Sequence, residues 1–248
     1  MAIHALNRAG TTPGSTALVI GAGTVGLLTA AMARQSGCTA VTIADIDAGR
    51  VEYALSRGFA TQGYVVPKSF QTSRATSGTS TPEGVMTPGS VFSTASQFDG
   101  AKTLASEILS VAGPNDEFVI EEDEDGFDVT FECTGKEVCM HTSLYATKPG
   151  GKVVMVGMGT PIQTLPLSIS HLREIDIVGV FRYANTYATG IRMLCSQKKG
   201  GFGPTLPSLD DMVTHRFKGL AEAQHAFELA SRTSDDNGNL VLKVIIEA

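Results

Sequence analysis

Three glycines and one acidic residue carry the sharpest chemical signal in this sequence. Gly21-Ala22-Gly23-Thr24-Val25-Gly26 follows an apolar run from Ser15 to Ile20 and opens a stretch of helical character. In that setting Gly21 can make a tight turn, Gly23 lets the backbone approach a pyrophosphate, and Gly26 allows the helix to pack closely on the strand. The first N–H groups of that helix then face the phosphates with the positive end of the helix dipole behind them. Asp45 closes the next apolar run, at the place where an acidic side chain accepts hydrogen bonds from the adenosine ribose hydroxyls. A 2′-phosphate there would meet a like charge, worth up to about 4 kcal/mol at about 4 Å with an effective dielectric near 20. The dinucleotide expected from these residues is therefore NAD(H), not NADP(H). Asp47 is better placed than Asp45 to cap the following helix, and Arg50 is expected over the adenine face.

The second half of the chain offers three further strand ends: Cys133-Thr134-Gly135, Val156-Gly157-Met158 and Phe181-Arg182-Tyr183. In a doubly wound sheet such ends build the nicotinamide side of the crevice. Gly135 and Gly157 let backbone approach a ring. Arg182 follows the apolar run Ile177-Val178-Gly179-Val180 directly, so it is expected at the crevice mouth, where a polar substrate or cofactor needs a charge.

The elements that must position these residues alternate between strand and helix. Strands are expected at 15–20, 39–44, 127–132, 152–156, 175–180, 212–217 and 240–246. Helices are expected after Gly23 with Val25, Leu28 and Met32 on one face, from Asp47 to Gly58, at 137–147 with Pro149-Gly150-Gly151 ending it, near 187–195 and near 220–230. This alternation implies an α/β fold, a doubly wound parallel sheet of Rossmann type forming a single domain over residues 1–248. Ser, Thr, Gly and Pro dominate between Pro67 and Gly100, so residues 67–100 are expected to be a disordered surface insert, and the acidic run 121–125 a solvated loop.

The 248 residues carry 18% charged side chains and a formal charge of −6. That balance and the lack of a basic run argue against a nucleic-acid partner. No apolar stretch is long enough to span a bilayer and no leader pattern follows Met1, so a cytoplasmic protein with no membrane partner and a small-molecule substrate is expected. Cys38, Cys133, Cys139 and Cys195 form no C-x-x-C pair and are read as reduced thiols. The five histidines, His4, His141, His171, His215 and His225, are dispersed, and none pairs with a Cys or carboxylate at metal-ligand spacing, so no metal site is expected. Tyr145 and Lys148 stand three apart, not the four a short-chain dehydrogenase requires.

Taken together, GAGTVGL, ADIDAGRVEYA, FECTG, YATKPGGKVVMVGMG, LREIDIVGVFRY and VTHRF resemble the cofactor-binding half of the medium-chain zinc-type alcohol dehydrogenases, in the sorbitol, xylitol and arabinitol dehydrogenase branch. The resemblance runs from Ala2 to Ile246, interrupted by the insert. It implies that Gly21, Gly23, Val25, Gly26, Asp45, Arg50, Thr134, Val156, Gly157, Met158, Phe181 and Arg182 line the NAD site, with Arg182 and Tyr183 also near a polyol or ketose. It implies an oxidoreductase that moves hydride between a polyol or secondary alcohol and NAD, a homo-oligomer, and a final strand at 240–248 that returns to a catalytic domain. In the family that GroES-like domain carries the catalytic zinc ligands and precedes the helix resembled by Ile3 to Leu6. Those ligands are absent from this sequence, so the alternative expectation is a truncated paralogue that binds NAD, or partners a complete relative, without turnover.

Overall fold

The computed structural model describes residues 1–67, 70, 88–112, 126–197 and 206–247. The chain enters through α1 (Ala2–Ala9) and alternates β1 (Thr16–Ile20), α2 (Thr24–Gln35), β2 (Ala40–Asp45), α3 (Ala48–Ser56) and β3 (Gln62–Val65). After α4 (Pro88–Ala112) come β4 (Phe127–Glu132), α5 (Glu137–Ala146), β5 (Thr147–Met155), α6 (Leu167–Leu172), β6 (Asp176–Gly179) and α7 (Tyr187–Gln197). A terminal βαβ unit follows: β7 (Val213–Lys218), α8 (Ala223–Ala230) and β8 (Lys243–Glu247), with β7 and β8 paired in parallel.

Six strands form one parallel sheet in the order β3-β2-β1-β4-β5-β6. The order reverses between β1 and β4, and this switch point opens a crevice beyond the carboxyl ends of the strands. Because successive side chains of a strand face opposite sides, the sheet has two cores. On one face Ala17, Val19, Val41, Ile43 and Phe131 pack with Ala5 and Leu6 of α1 and Leu27, Ala30 and Ala31 of α2. On the other, Leu18, Ile20, Ala44 and Phe127 pack with Leu104, Ala105 and Ile108 of α4. The doubly wound α/β architecture expected from the alternation is the one observed.

Several elements differ from expectation. Val25, Leu28 and Met32 are only half-buried, and α2 instead buries Leu27, Ala30, Ala31 and Ala33. The close approach allowed by Gly26 and the small alanines turns the helix so that its Ala face meets the sheet. β3 was not expected; Gln62-Gly63-Tyr64-Val65 is too short and polar to announce itself, and its pairing with Thr42 to Asp45 defines it. Residues 88–100, expected to be insert, belong to α4, because Ala101, Leu104, Ala105 and Ile108 give that helix an apolar stripe at 3.6-residue spacing. Residues 68, 69 and 71–87 of the polar segment, and the acidic run 121–125, lie outside the described residues. β5 starts at Thr147 and runs through Pro149-Gly150-Gly151, with a register shift against β4 between Phe127 and Val129. The last strand begins at Lys243, leaving Leu240 to Leu242 for another use described below. Among the described residues no helix is long and apolar enough to cross a membrane.

Candidate functional site

The glycine turn is built as its spacing requires. Gly21 has φ of 103°, in the left-handed region, and its N–H donates to the Ala44 carbonyl at 2.7 Å. A Cβ built on Gly26 would overlap the Gly21 carbonyl oxygen, so the start of α2 can approach β1 only without a side chain there. Gly23 is the N-cap of α2, with no side-chain cap. The leading N–H groups of α2 are thus left for an external anion.

Asp45 stands at the carboxyl tip of β2. Its Oδ2 accepts from the Ala22 N–H at 2.6 Å and its Oδ1 from the Asp47 N–H at 2.9 Å, which fixes the carboxylate between the glycine turn and the start of α3. Asp47 does cap α3, accepting from the Arg50 N–H at 3.1 Å. The Arg50 guanidinium lies beside the glycine turn, its Nη1 4.0 Å from a Cβ built on Gly23. Its Nη2 donates to the Val241 carbonyl at 3.0 Å, while its Nε is buried with no partner in the structure. Thr24 Oγ1 donates to the Leu242 carbonyl at 2.9 Å. The segment before β8 therefore lies across the same turn. A turn with no room for side chains at Gly21 and Gly26, an uncapped helix and an orphaned guanidinium N–H suit a dinucleotide phosphate.

Across the switch point, the turns after β4 and β5 pack back to back. Gly135 has φ of 73°, and a Cβ on Gly157 would overlap the Gly135 amide nitrogen. The organising group is Glu132, 1% exposed, which sequence reading passed over as part of a strand. Its carboxylate accepts from the Thr134 N–H at 2.6 Å, the Gly135 N–H at 3.0 Å and the Thr134 hydroxyl. A carboxylate inside an otherwise apolar strand was the signal available. Because Thr134 Oγ1 also accepts from the Lys136 N–H at 3.0 Å, that hydroxyl serves the turn. Val156 is buried and shapes the wall, whereas Met158 and Phe181 are 69% and 71% exposed and project outward.

Arg182, at φ of 50°, lies over the Phe181 ring at 5.4 Å, and the Tyr187 hydroxyl donates to that of Tyr183 at 3.0 Å. A non-glycine residue in the left-handed region costs backbone energy and is concentrated at functional sites. Burial, then the Glu132 charge, pushes the Cys133 thiol up to about 12, and burial pushes Cys139 up to about 11, so neither is a nucleophile near neutral pH. Among the described residues, which include all five histidines and all four cysteines, no three His, Cys, Asp or Glu side chains gather as a metal site. The described residues do not fit the catalytic zinc of the resembled family. The hollow of about 120 Å³ beside Gly10, Ser15 and Lys152 opens at the opposite ends of the strands.

This strand order, glycine turn and acidic strand tip define a Rossmann-type dinucleotide-binding domain. Residues 90–196 match the family model described as zinc-binding dehydrogenase. Sorbitol dehydrogenase of Mus musculus is 34% identical over 230 residues, 93% of this chain and 50% of that protein, and the Gallus gallus enzyme is 30% identical over the same shares. A zinc-binding dehydrogenase from Sinorhizobium meliloti 1021, solved bound to NADP, has the same fold with a TM-score of 0.67 at 21% identity, over 100% of this chain and 56% of that one. By these matches the chain is similar to zinc-type dehydrogenases, and its fold is that of their cofactor-binding half. It spans about half the length of the curated relatives it matches.

Proposed function

We propose that the chain binds NAD(H) across the switch point and serves hydride transfer between a polyol or secondary alcohol and the nicotinamide. The observation that carries this reading is the Asp45 carboxylate, held by the Ala22 and Asp47 N–H groups at the edge of a tight glycine turn. An anchored carboxylate accepts from ribose hydroxyls and repels a 2′-phosphate, which favours NAD(H) even though one structural neighbour was solved with NADP. The free N–H groups of Thr24, Val25 and Gly26 take the pyrophosphate. Arg50 adds its orphaned Nε–H to the adenosine side. The backbone of Gly135, Gly157 and Met158 meets the nicotinamide, with Phe181 and Arg182 closing the outer wall and Arg182 and Tyr183 turned to the polyol hydroxyls. Bound NAD supplies the hydride acceptor. The partner proposed is a second copy of the chain, meeting at the open edge of β6, whose far side pairs with no strand among those described.

A second reading is NAD(H) binding without turnover by this polypeptide, favoured by the dispersed histidines and cysteines, since alkoxide stabilisation by a metal is worth several kcal/mol. Calorimetric titration with NADH and NADPH tests the first step. NADH is expected to bind more tightly, and Asp45→Ala should narrow the preference by about tenfold, roughly 1.4 kcal/mol. Tighter NADPH binding by the unaltered chain overturns the assignment. Turnover of sorbitol or xylitol by the same sample, with and without added zinc, separates the two readings.

A further inference from the structure

The segment after β5 forms one wall of the proposed crevice, and two side chains of α5 hold it by a single residue. The Thr164 N–H donates to Glu137 Oε2 at 3.2 Å, and the Thr164 carbonyl lies 2.6 Å from His141 Nε2. Glu137 and His141 stand four apart, on one face of α5, so one helical turn grips Thr164 from both sides. A carbonyl oxygen only accepts, so His141 carries its proton on Nε2. The ring is 1% exposed and meets the edge of Phe98 at 4.8 Å between centroids, while its Nδ1 is buried with no partner in the structure. An apolar side chain would fill this place without an orphaned Nδ1, at the cost of leaving the Thr164 carbonyl without its donor. What the imidazole supplies, and an apolar residue cannot, is the bond to the Thr164 carbonyl.

The same segment is pinned at its other end. Gly157 and Gly159 pack directly on the Gly135 backbone, and the Thr160 N–H donates to the Gly135 carbonyl at 3.2 Å. Between the two attachments, Met158 and Ile162 are 69% and 84% exposed, so burial of side chains does little to hold the segment in place. At its ends the Gly157 N–H donates to the Glu132 carbonyl at 2.8 Å and Leu165, next after Thr164, packs against the core at Met140 and Leu144, so the exposed stretch in between is the part that the Thr160 and Thr164 attachments hold.

We infer that His141 and Glu137 are positioning residues that fix Gly157 to Thr164 as a preformed wall for the nicotinamide half of the dinucleotide. The inference rests on the crevice being the NAD(H) site. A wall held before binding does not have to be ordered by the ligand, so its loosening weakens only ligands that reach it. ADP-ribose, which lacks the nicotinamide ring, separates the two halves of the site. Titration of NADH and ADP-ribose into the unaltered chain, His141→Phe, His141→Gln and Glu137→Ala makes the test. His141→Phe should weaken NADH about tenfold and Glu137→Ala about threefold, with ADP-ribose unchanged within about twofold in both. His141→Gln keeps an N–H donor for Thr164 and should recover NADH affinity to within about threefold. Glu137 is partly exposed in the first turn of α5, so its variant keeps the test open if His141→Phe does not fold. Unchanged NADH affinity in both His141→Phe and Glu137→Ala, with ADP-ribose still bound, overturns the positioning role. Equal losses for NADH and ADP-ribose overturn it too. Failure of the unaltered chain to bind ADP-ribose would instead bring down the cofactor reading itself.

Discussion

A methyl group at position 26 has no room. Its carbon would overlap the Gly21 carbonyl, and Gly21 is itself fixed by its bond to Ala44 and by Thr134 Cγ2, 2.8 Å from where its own Cβ would be. Gly26→Ala must therefore lift the first turn of α2 off β1, an overpacking expected to cost about 1–3 kcal/mol and to displace the N–H groups proposed for the pyrophosphate. Gly179→Ala is the control, since a Cβ there meets nothing within 4 Å and its φ needs no glycine. Thermal unfolding should show a fall of several degrees for the first and little change for the second; similar shifts would show that close packing is not what position 26 requires. At this scale the sequence was readable where spacing alone defines the geometry, as for the tight turn at Gly21, the close packing at Gly26 and the helix cap at Asp47. It was not readable for Arg50, whose bond to Val241 joins residues 191 positions apart. Nor was it readable for His141 and Glu137, whose shared partner Thr164 is reached only once α5 and the segment after β5 are placed.

Elements add the constraint that polar groups inside them must be answered. Glu132 ends β4 buried, and its carboxylate is the acceptor for two backbone N–H groups and a hydroxyl of the following turn. The unbound carboxylate would be costly to bury, so the turn and the charge stabilise one another. Glu132→Ala removes the acceptor and leaves the Thr134 and Gly135 N–H groups orphaned. At about 1–3 kcal/mol for each buried unsatisfied group, denaturant unfolding should show a loss of several kcal/mol, with Glu132→Gln intermediate because its carbonyl oxygen still accepts. A loss below about 1 kcal/mol for Glu132→Ala would mean that water replaces the carboxylate and the turn does not depend on it. Alternating apolar runs gave the central strands correctly, because each is buried on both faces. β3 and α4 were missed for related reasons: β3 is defined by its neighbour β2, and the stripe of Ala101, Leu104, Ala105 and Ile108 in α4 follows a polar stretch of sequence that masks it.

On the scale of the whole molecule, the crevice end of the sheet and its opposite end are secured by different means. Backbone turns and Glu132 organise the crevice. At the other end Asp128 joins three strands: its carboxylate accepts from the Thr16 N–H at 2.7 Å and the Thr16 hydroxyl at 2.9 Å in β1, and pairs with Lys148 Nζ at 2.8 Å in β5. Burial alone would raise the Asp128 pKa, but the Lys148 and Thr16 hydrogen bonds outweigh it and hold the carboxyl below its ordinary value. An acid depressed in the folded state binds fewer protons than it does unfolded, so its stabilisation is complete above the unfolded value of about 3.9 and is lost as pH falls through the folded value. Asp235 acts with the same sign in the terminal βαβ unit, lowered to about 2 chiefly by its bond from Asn239, so the unaltered chain should lose stability steeply below about pH 4. Asp128→Asn isolates the first contribution. It should lower the unfolding temperature near pH 6.5, flatten the decline between about pH 5 and pH 3, and converge on the unaltered chain at the acid end. Because Asp128 and Lys148 are each about 30% exposed, added salt should shrink the neutral-pH difference in part. A difference that stays constant from pH 7 to pH 3 would mean that Asp128 contributes through shape and neutral hydrogen bonds, and that the charge pairing at this end of the sheet adds nothing to the fold.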